Sequence, residues 1–526
     1  MQSFTFQSPT EIIFGRGAED RVAERLRARG ASRILILYGG GSVVESGLLS
    51  RIEKNLTSAG LAFLVIGGVR PNPRVSLVRE AIREGIAAQA NFVLGVGGGS
   101  VIDSAKAVAH GIANPTVDIW DIWTHKVEIE QTIPIGTVLT IPAAGSEVSD
   151  SAVLTNEDTG QKRGLNSQLN RPVVAFMNPE LAFTLPREQI AAGGADIMMH
   201  TMERYFTSVK EPNVFTDRVA EQLIRTVMEC VRRLLVSRKD YDAMSELMWC
   251  GSVSHSGFTE LGRRKDFSVH KLGHELSARY DATHAQTLTA LWGSWARYVY
   301  ADDPARFAHF AGAIFGVDAG TDEERARAGI RKMEEFFTEI GMPTSLAGLG
   351  VGVLTKGAIE EIASAATAND TIRLGDFRPL TRADAIDLTD ARTEALLALP
   401  TLLAGEGFGF RRLLGEPPSE EPDDAEAPPA PGVLELTLDV AESAPDKAEP
   451  PFDAAVAATL EALCVAGAES EPHDESRRQR QAALAAKAEF FIEALSKWVS
   501  HFVQSVVSYF IVHRASPPAR AFGPPC

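Results

Sequence analysis

Over residues 1–186, short apolar runs alternate with stretches in which apolar residues recur every three or four positions. The runs include Arg33-Ile34-Leu35-Ile36-Leu37-Tyr38, Ala62-Phe63-Leu64-Val65-Ile66 and Asn91-Phe92-Val93-Leu94-Gly95-Val96. They are unbroken rather than alternating, which is the pattern of strands covered on both faces by helices. The intervening 48–56 and 77–87 have helical period, so 1–186 is expected to be an α/β, doubly wound domain. From residue 187 to 388 the strand signals fade and long helical patterns such as 214–235 and 323–340 predict a helical domain. Asn178 to Pro186 lies between them, and its two prolines mark a connection rather than a helix. A cleft at that junction is the expected place for a ligand.

Residues 389–526 form an atypical extension. Residues 416–450 are rich in Pro, Glu, Asp and Ala, a composition too poor in apolar surface to offset chain entropy, so a disordered linker is expected there. Residues 475–513 carry Phe490, Phe491, Leu495, Trp498, Phe502 and Val506 at helical spacing and predict an amphipathic helix. Glu493, Lys497, His501 and Gln504 interrupt it, so a membrane span is not expected.

Composition narrows the function classes. A formal charge of −17 argues against a surface built to neutralise nucleic-acid phosphates. Cys230, Cys250, Cys464 and Cys526 lack CxxC spacing, so neither a disulfide framework nor a thiolate metal knuckle is indicated. The first sixteen residues lack a basic segment followed by an apolar one, and a cytoplasmic location is the expectation.

Two glycine clusters follow predicted strands. Gly97-Gly98-Gly99-Ser100 precedes a helical stretch at 104–112. Glycines let a backbone approach a pyrophosphate, and the N–H groups at a helix start carry partial positive charge. Such a turn also serves simply to reverse the chain, and it is not the GxGxxG fingerprint. The second cluster, Gly39-Gly40-Gly41-Ser42, contains no acidic residue to hold a ribose 2′-hydroxyl and repel a 2′-phosphate, which favours NADP over NAD.

Asp196 and His200 are four apart in a stretch of helical period and emerge on one face. His270, His274 and His284 fall within 15 residues, and one carboxylate with two or three imidazoles suits Zn²⁺ or Fe²⁺. The zinc-protease order HExxH is absent there.

With these motifs in order, the sequence resembles the iron-containing (group III) alcohol dehydrogenase family, within it the NADPH-dependent butanol dehydrogenase-like branch. The matching residues run from Phe14-Gly15-Arg16-Gly17 through both glycine turns, Asp103, Gly145-Ser146-Glu147 and Asn178-Pro179 to Asp196, His200, His270, His274-Glu275-Leu276 and His284, spanning 1–388. The resemblance implies a dehydroquinate synthase-like architecture, with an α/β dinucleotide-binding domain followed by an all-α metal-binding domain. It implies a metal held by Asp196, His200, His270 and His284, with His274 near the substrate. It also implies cofactor contacts from Gly40, Ser42, Asn72, Gly97, Gly98, Ser100, Thr140, Ser149, Val153, Lys162 and Thr184. Ala143-Ala144 depart from the family, which places a threonine hydroxyl near this glycine, and 389–526 has no counterpart in it.

The implied reaction is hydride transfer between NADP(H) and small primary alcohols or aldehydes of the butanol and butanal kind. One divalent ion, Fe²⁺ or Zn²⁺, polarises the carbonyl oxygen. His274, with an ordinary pKa near 6.5, is the candidate for relaying the alkoxide proton; its alternative role is to orient its neighbours. Lys162 is either a solvated loop charge or a contact to the nicotinamide ribose, and the resemblance favours contact. The apolar surface of a helical domain suits a homodimer. Two further readings remain: a degenerate scaffold acting through its tail, and a dehydroquinate synthase-like lyase. The lyase would need more Lys and Arg around the metal helices than Lys271 supplies.

Overall fold

A computed structural model describes residues 1–351 and 354–390, all within one compact unit. The expected linker at 416–450 and helix at 475–513 lie outside the described residues. Six strands form one parallel sheet: β1 (Glu11–Phe14), β2 (Arg33–Tyr38), β3 (Ala62–Ile66), β4 (Phe92–Gly97), β5 (Ile135–Leu139) and β8 (Val174–Met177), in the order β1-β8-β5-β4-β2-β3. A separate antiparallel hairpin pairs β6 (Ser151–Asn156) with β7 (Gln161–Asn166).

Burial explains the unbroken apolar runs. Along β2 and β4 successive side chains point to opposite faces. Leu35, Leu37 and Val93 join a core with helices Val75–Ala87 and Gly99–Ala113. Ile34, Ile36, Phe92, Leu94 and Val96 join another with helices Val22–Ala28 and Leu48–Ser58. With both faces covered, neither set of positions is free to be polar.

After Met177 the named elements among the described residues are helices. Their shared core is built on helices Arg187–Tyr205, Val214–Val236, Tyr241–His255, Ser268–Tyr280, His284–Val299 and Asp322–Glu339. The segment from Asn178 to Pro186 holds one short turn, Pro179–Ala182, capped by the Asn178 side chain on the Glu180 N–H. No helix among the described residues is long and apolar enough to cross a membrane.

Two close approaches set the site. A Cβ on Gly193 would stand 2.3 Å from the Pro142 carbonyl oxygen. Glycine there lets helix Arg187–Tyr205 lie on the loop after β5, one turn before Asp196. A Cβ on Gly98 would meet the Ile141 Cδ1 at 2.8 Å, so the glycine turn after β4 is equally tight.

Candidate active site

The C-terminal ends of β2, β4 and β5 open onto one cleft of about 1550 Å³, closed on its other side by helical residues. Every cofactor position expected from the sequence, from Gly40 through Thr184, lines it, as do Asp196, His200, His270, His274 and His284. Ala143 and Ala144 also line it, so the cleft wall carries methyl groups where the resemblance places a hydroxyl.

The turn after β4 is braced from below. Asp103 accepts from Ser146 Oγ (2.6 Å) and the Val153 N–H (2.9 Å), which ties the helix carrying the turn to β6. Lys106, fully buried, donates to Ser146 Oγ (2.8 Å) and the Ser151 carbonyl (2.7 Å), and burial lowers its pKa to about 8. The helix itself starts at Gly99, five residues before the expected 104, so Ser100 belongs to its first turn.

Lys162 is not a loop charge. It sits in β7, is buried, and donates to Asn72 Oδ1 at 2.9 Å. Burial lowers its pKa to about 8, with the carboxylates of Asp196 and Asp103 working in the opposite sense. Asn72 in turn donates to Asp281 Oδ1 (2.9 Å), which also receives Arg74 Nη2 (2.8 Å). The loop after β3 is thereby joined to the end of helix Ser268–Tyr280, three residues before His284.

Asp196, His270 and His284 each place a ligand atom within 4.8 Å of the others. Each also leaves a buried polar atom without a hydrogen-bond partner: Asp196 Oδ1, His270 Nε2 and His284 Nδ1. Buried polar atoms are normally satisfied, so Asp196 Oδ1 and His270 Nε2, with the His284 ring whose Nε2 stands 3.9 Å from Asp196 Oδ1, fit a cation. His200 stands just outside this trio. Its Nδ1 donates to the Asp196 carbonyl (2.9 Å), leaving Nε2 as its free nitrogen, and its ring centroid is 4.4 Å from that of His270.

Glu203, which sequence reasoning left unassigned, is fully buried one turn beyond His200. Its Oε1 accepts the backbone N–H of Val269 (2.8 Å) and of His270 (3.3 Å), and its Oε2 faces His270 Nδ1. With Glu203 ionised the proton sits on Nδ1, and the free nitrogen of His270 is Nε2, the one without a partner. The spacing Asp196, His200, Glu203 (i, i+4, i+7) was the available signal. His255 was also missed. It is buried, its ring stands edge-on to His200 at 4.3 Å, and a lone histidine at a helix end carries no such signal.

Burial disfavours every charged form in this cluster. It pushes Asp196 up to about 7 and Glu203 up to about 8, and it holds His200, His255, His270 and His284 well below the ordinary imidazole value. The same holds for His274, whose ring is 5.2 Å from that of His284. The expectation of an ordinary pKa near 6.5 for His274 is therefore corrected: burial, then the Lys162 charge, keeps this ring neutral near pH 7.

The helix carrying His270 and His274 begins after Phe267 and ends before Asp281, both left-handed non-glycines (φ 60° and 50°). Such backbone is costly and persists where its surroundings fix it. The Phe267 ring lies 4.8 Å from His270 and forms an apolar wall.

Residues 9–179 match the model of the iron-containing alcohol dehydrogenase family, and residues 190–393 match the model of its C-terminal part. The chain belongs to the iron-containing alcohol dehydrogenase family. It is 38% identical over 393 residues to the probable NADH-dependent butanol dehydrogenase 1 of Bacillus subtilis (strain 168), covering 74% of this chain and 100% of that protein. It is 35% identical to the NADPH-dependent aldehyde reductase YqhD of Escherichia coli (strain K12), over 67% of this chain and 90% of that one. Among solved structures, NADH-dependent butanol dehydrogenase A of Thermotoga maritima matches with a TM-score of 0.71 and 36% identity, covering 74% of this chain and 98% of that chain. As a member of this family the chain is an alcohol and aldehyde oxidoreductase, and its parallel sheet and helices are the family's fold.

Proposed function

We propose that the chain transfers hydride between NADP(H) and small primary alcohols or aldehydes of the butanol and butanal kind. A divalent ion, Fe²⁺ or Zn²⁺, is held by Asp196, His200, His270 and His284. The observation that carries this reading is the meeting of ligand atoms from Asp196, His270 and His284 in the cleft that the glycine turn after β4 also lines. When bound, the ion supplies Lewis acidity at the carbonyl oxygen and the nicotinamide supplies or accepts the hydride.

The chain's own residues do the rest. Amides of Gly97, Gly98 and Ser100 cradle the pyrophosphate, and Lys162 orients the nicotinamide ribose beside Asn72. Glu203 holds the proton on His270 Nδ1 and so keeps Nε2 available. His274, neutral, takes or passes a proton through its free nitrogen rather than acting as a charged donor. Phe267 excludes water from one side of the ligand cluster.

Cofactor choice rests on the turn Gly39-Gly40-Gly41-Ser42, which offers no carboxylate to a ribose 2′-hydroxyl. The names of the relatives divide between NADH and NADPH. Metal analysis of the purified chain, with NADPH and NADH oxidation on butanal followed side by side, tests the reading. Bound metal with faster NADPH oxidation is expected. A protein that holds no metal, or that turns over no aldehyde with either cofactor, overturns it.

A further inference from the structure

Three loops stand in sheet order at the adenosine end of the cleft. Gly97 to Ser100 follow β4, Gly39 to Ser42 follow β2, and Arg70 follows β3, while β2 lies between β4 and β3. Strand pairing continues past the end of β3: Val69 N–H donates to the Tyr38 carbonyl (3.2 Å) and Gly68 N–H to the Gly39 carbonyl (3.0 Å). Arg70 therefore leaves the sheet edge beside the Gly39 turn, and both line the same cleft. A Cβ on Gly40 would meet no atom within 4 Å, so this turn faces open space.

The charges nearby separate Arg70 from the rest. Arg51 is engaged by the buried Glu19 at 3.1 Å, and Glu180 by Arg16. Glu45 is exposed against Gly41 and is not among the residues lining the cleft. Arg70 is exposed to the cleft and has no ion pair among the described residues. A pyrophosphate on the turn after β4 places the adenosine ribose over the turn after β2, where dinucleotide folds read the 2′ position with an acid for NAD or a nearby arginine for NADP.

We propose that Arg70 is the residue that selects the phosphorylated cofactor, its guanidinium gripping the 2′-phosphate of NADP(H) with the Ser42 hydroxyl as a second donor. The assignment rests on the NADP reading above and adds the residue responsible for it. A planar guanidinium suits a phosphate bidentately, which a glycine turn alone does not provide.

The test is calorimetric titration of the metal-loaded full chain with adenosine 2′,5′-bisphosphate and with 5′-AMP, for the parent and for Arg70→Ala. The parent is expected to bind the bisphosphate at least about tenfold more tightly than AMP, as one charge-assisted contact allows. Arg70→Ala should lose most of that preference and keep its AMP affinity. If the parent shows no preference, the NADP reading fails and the role of Arg70 with it. A parent that discriminates alongside a variant that still does so overturns Arg70 alone. Equal loss for both ligands assigns Arg70 to holding the turn and likewise overturns the proposal.

Discussion

Replacing Glu203 by glutamine isolates the contribution of one buried carboxylate to metal binding. The side chain is fully buried, and its two oxygens serve the N–H groups of Val269 and His270 and the His270 ring. Glutamine keeps the volume and one oxygen. It can answer the ring by presenting its N–H to Nδ1, which leaves Nε2 protonated and without a lone pair for the ion. Alternatively it turns its oxygen to the ring and abandons the two backbone donors. Either way the carboxylate behind a ligating histidine is lost, a change worth about 10–100-fold in metal affinity, or roughly 1.4–2.8 kcal/mol. The metal-free fold should be nearly indifferent, because burial pushes Glu203 up to about 8 and the acid is already uncharged at pH 7. Competition of Glu203→Gln against a chelating dye, with melting of the metal-free protein alongside, reads both quantities. An affinity within about twofold of the parent would refute the link from Glu203 through His270 to the ion.

His284→Ala should abolish metal retention, measured by elemental analysis after dialysis. Its side chain is 26% exposed, so the metal-free melting temperature should move little. Gly193→Ala should destabilise the protein by about 1–3 kcal/mol in denaturant unfolding, because the added methyl meets the Pro142 carbonyl and pushes the Asp196 helix off its loop. Metal affinity should rise with pH up to about 8 and then level, because the ion must displace protons that burial holds on Asp196 (to about 7) and Glu203 (to about 8). Titration of the metal-free chain with the ion between about pH 6 and 9 checks it, and an affinity flat across that range would refute it.

Where the physics is local, the sequence was easily read. The strands at 33–38 and 62–66 have the expected bounds, since an unbroken apolar run has little choice once both faces are covered. Helix 214–235 extends by one residue, to Val236, and the helix expected at 323–340 runs from Asp322 to Glu339. The helix at the glycine turn after β4 began earlier than expected, because glycines of low helical propensity hide a helix start whose N–H groups are left unpaired. The hairpin β6–β7 gave Lys162 a buried place that its polar neighbours Asp158 to Arg163 did not suggest. Asp196 and His200 declared themselves by four-residue spacing. Glu203 shares their face by the same helical spacing, but its partner ring lies 67 positions away and only packing brings the two together. The low pKa of His274 was equally out of reach, because desolvation belongs to the folded cleft and not to the residue.

The bonds from Asn72 and Arg74 to Asp281 bear on how the cleft can open. Only Ala282 and Thr283 separate Asp281 from His284, and three Cα steps span at most about 10 Å when fully stretched. The tether has almost no slack. Any widening sufficient to let a dinucleotide depart must either snap the anchorage at Asp281 or drag His284 along with it.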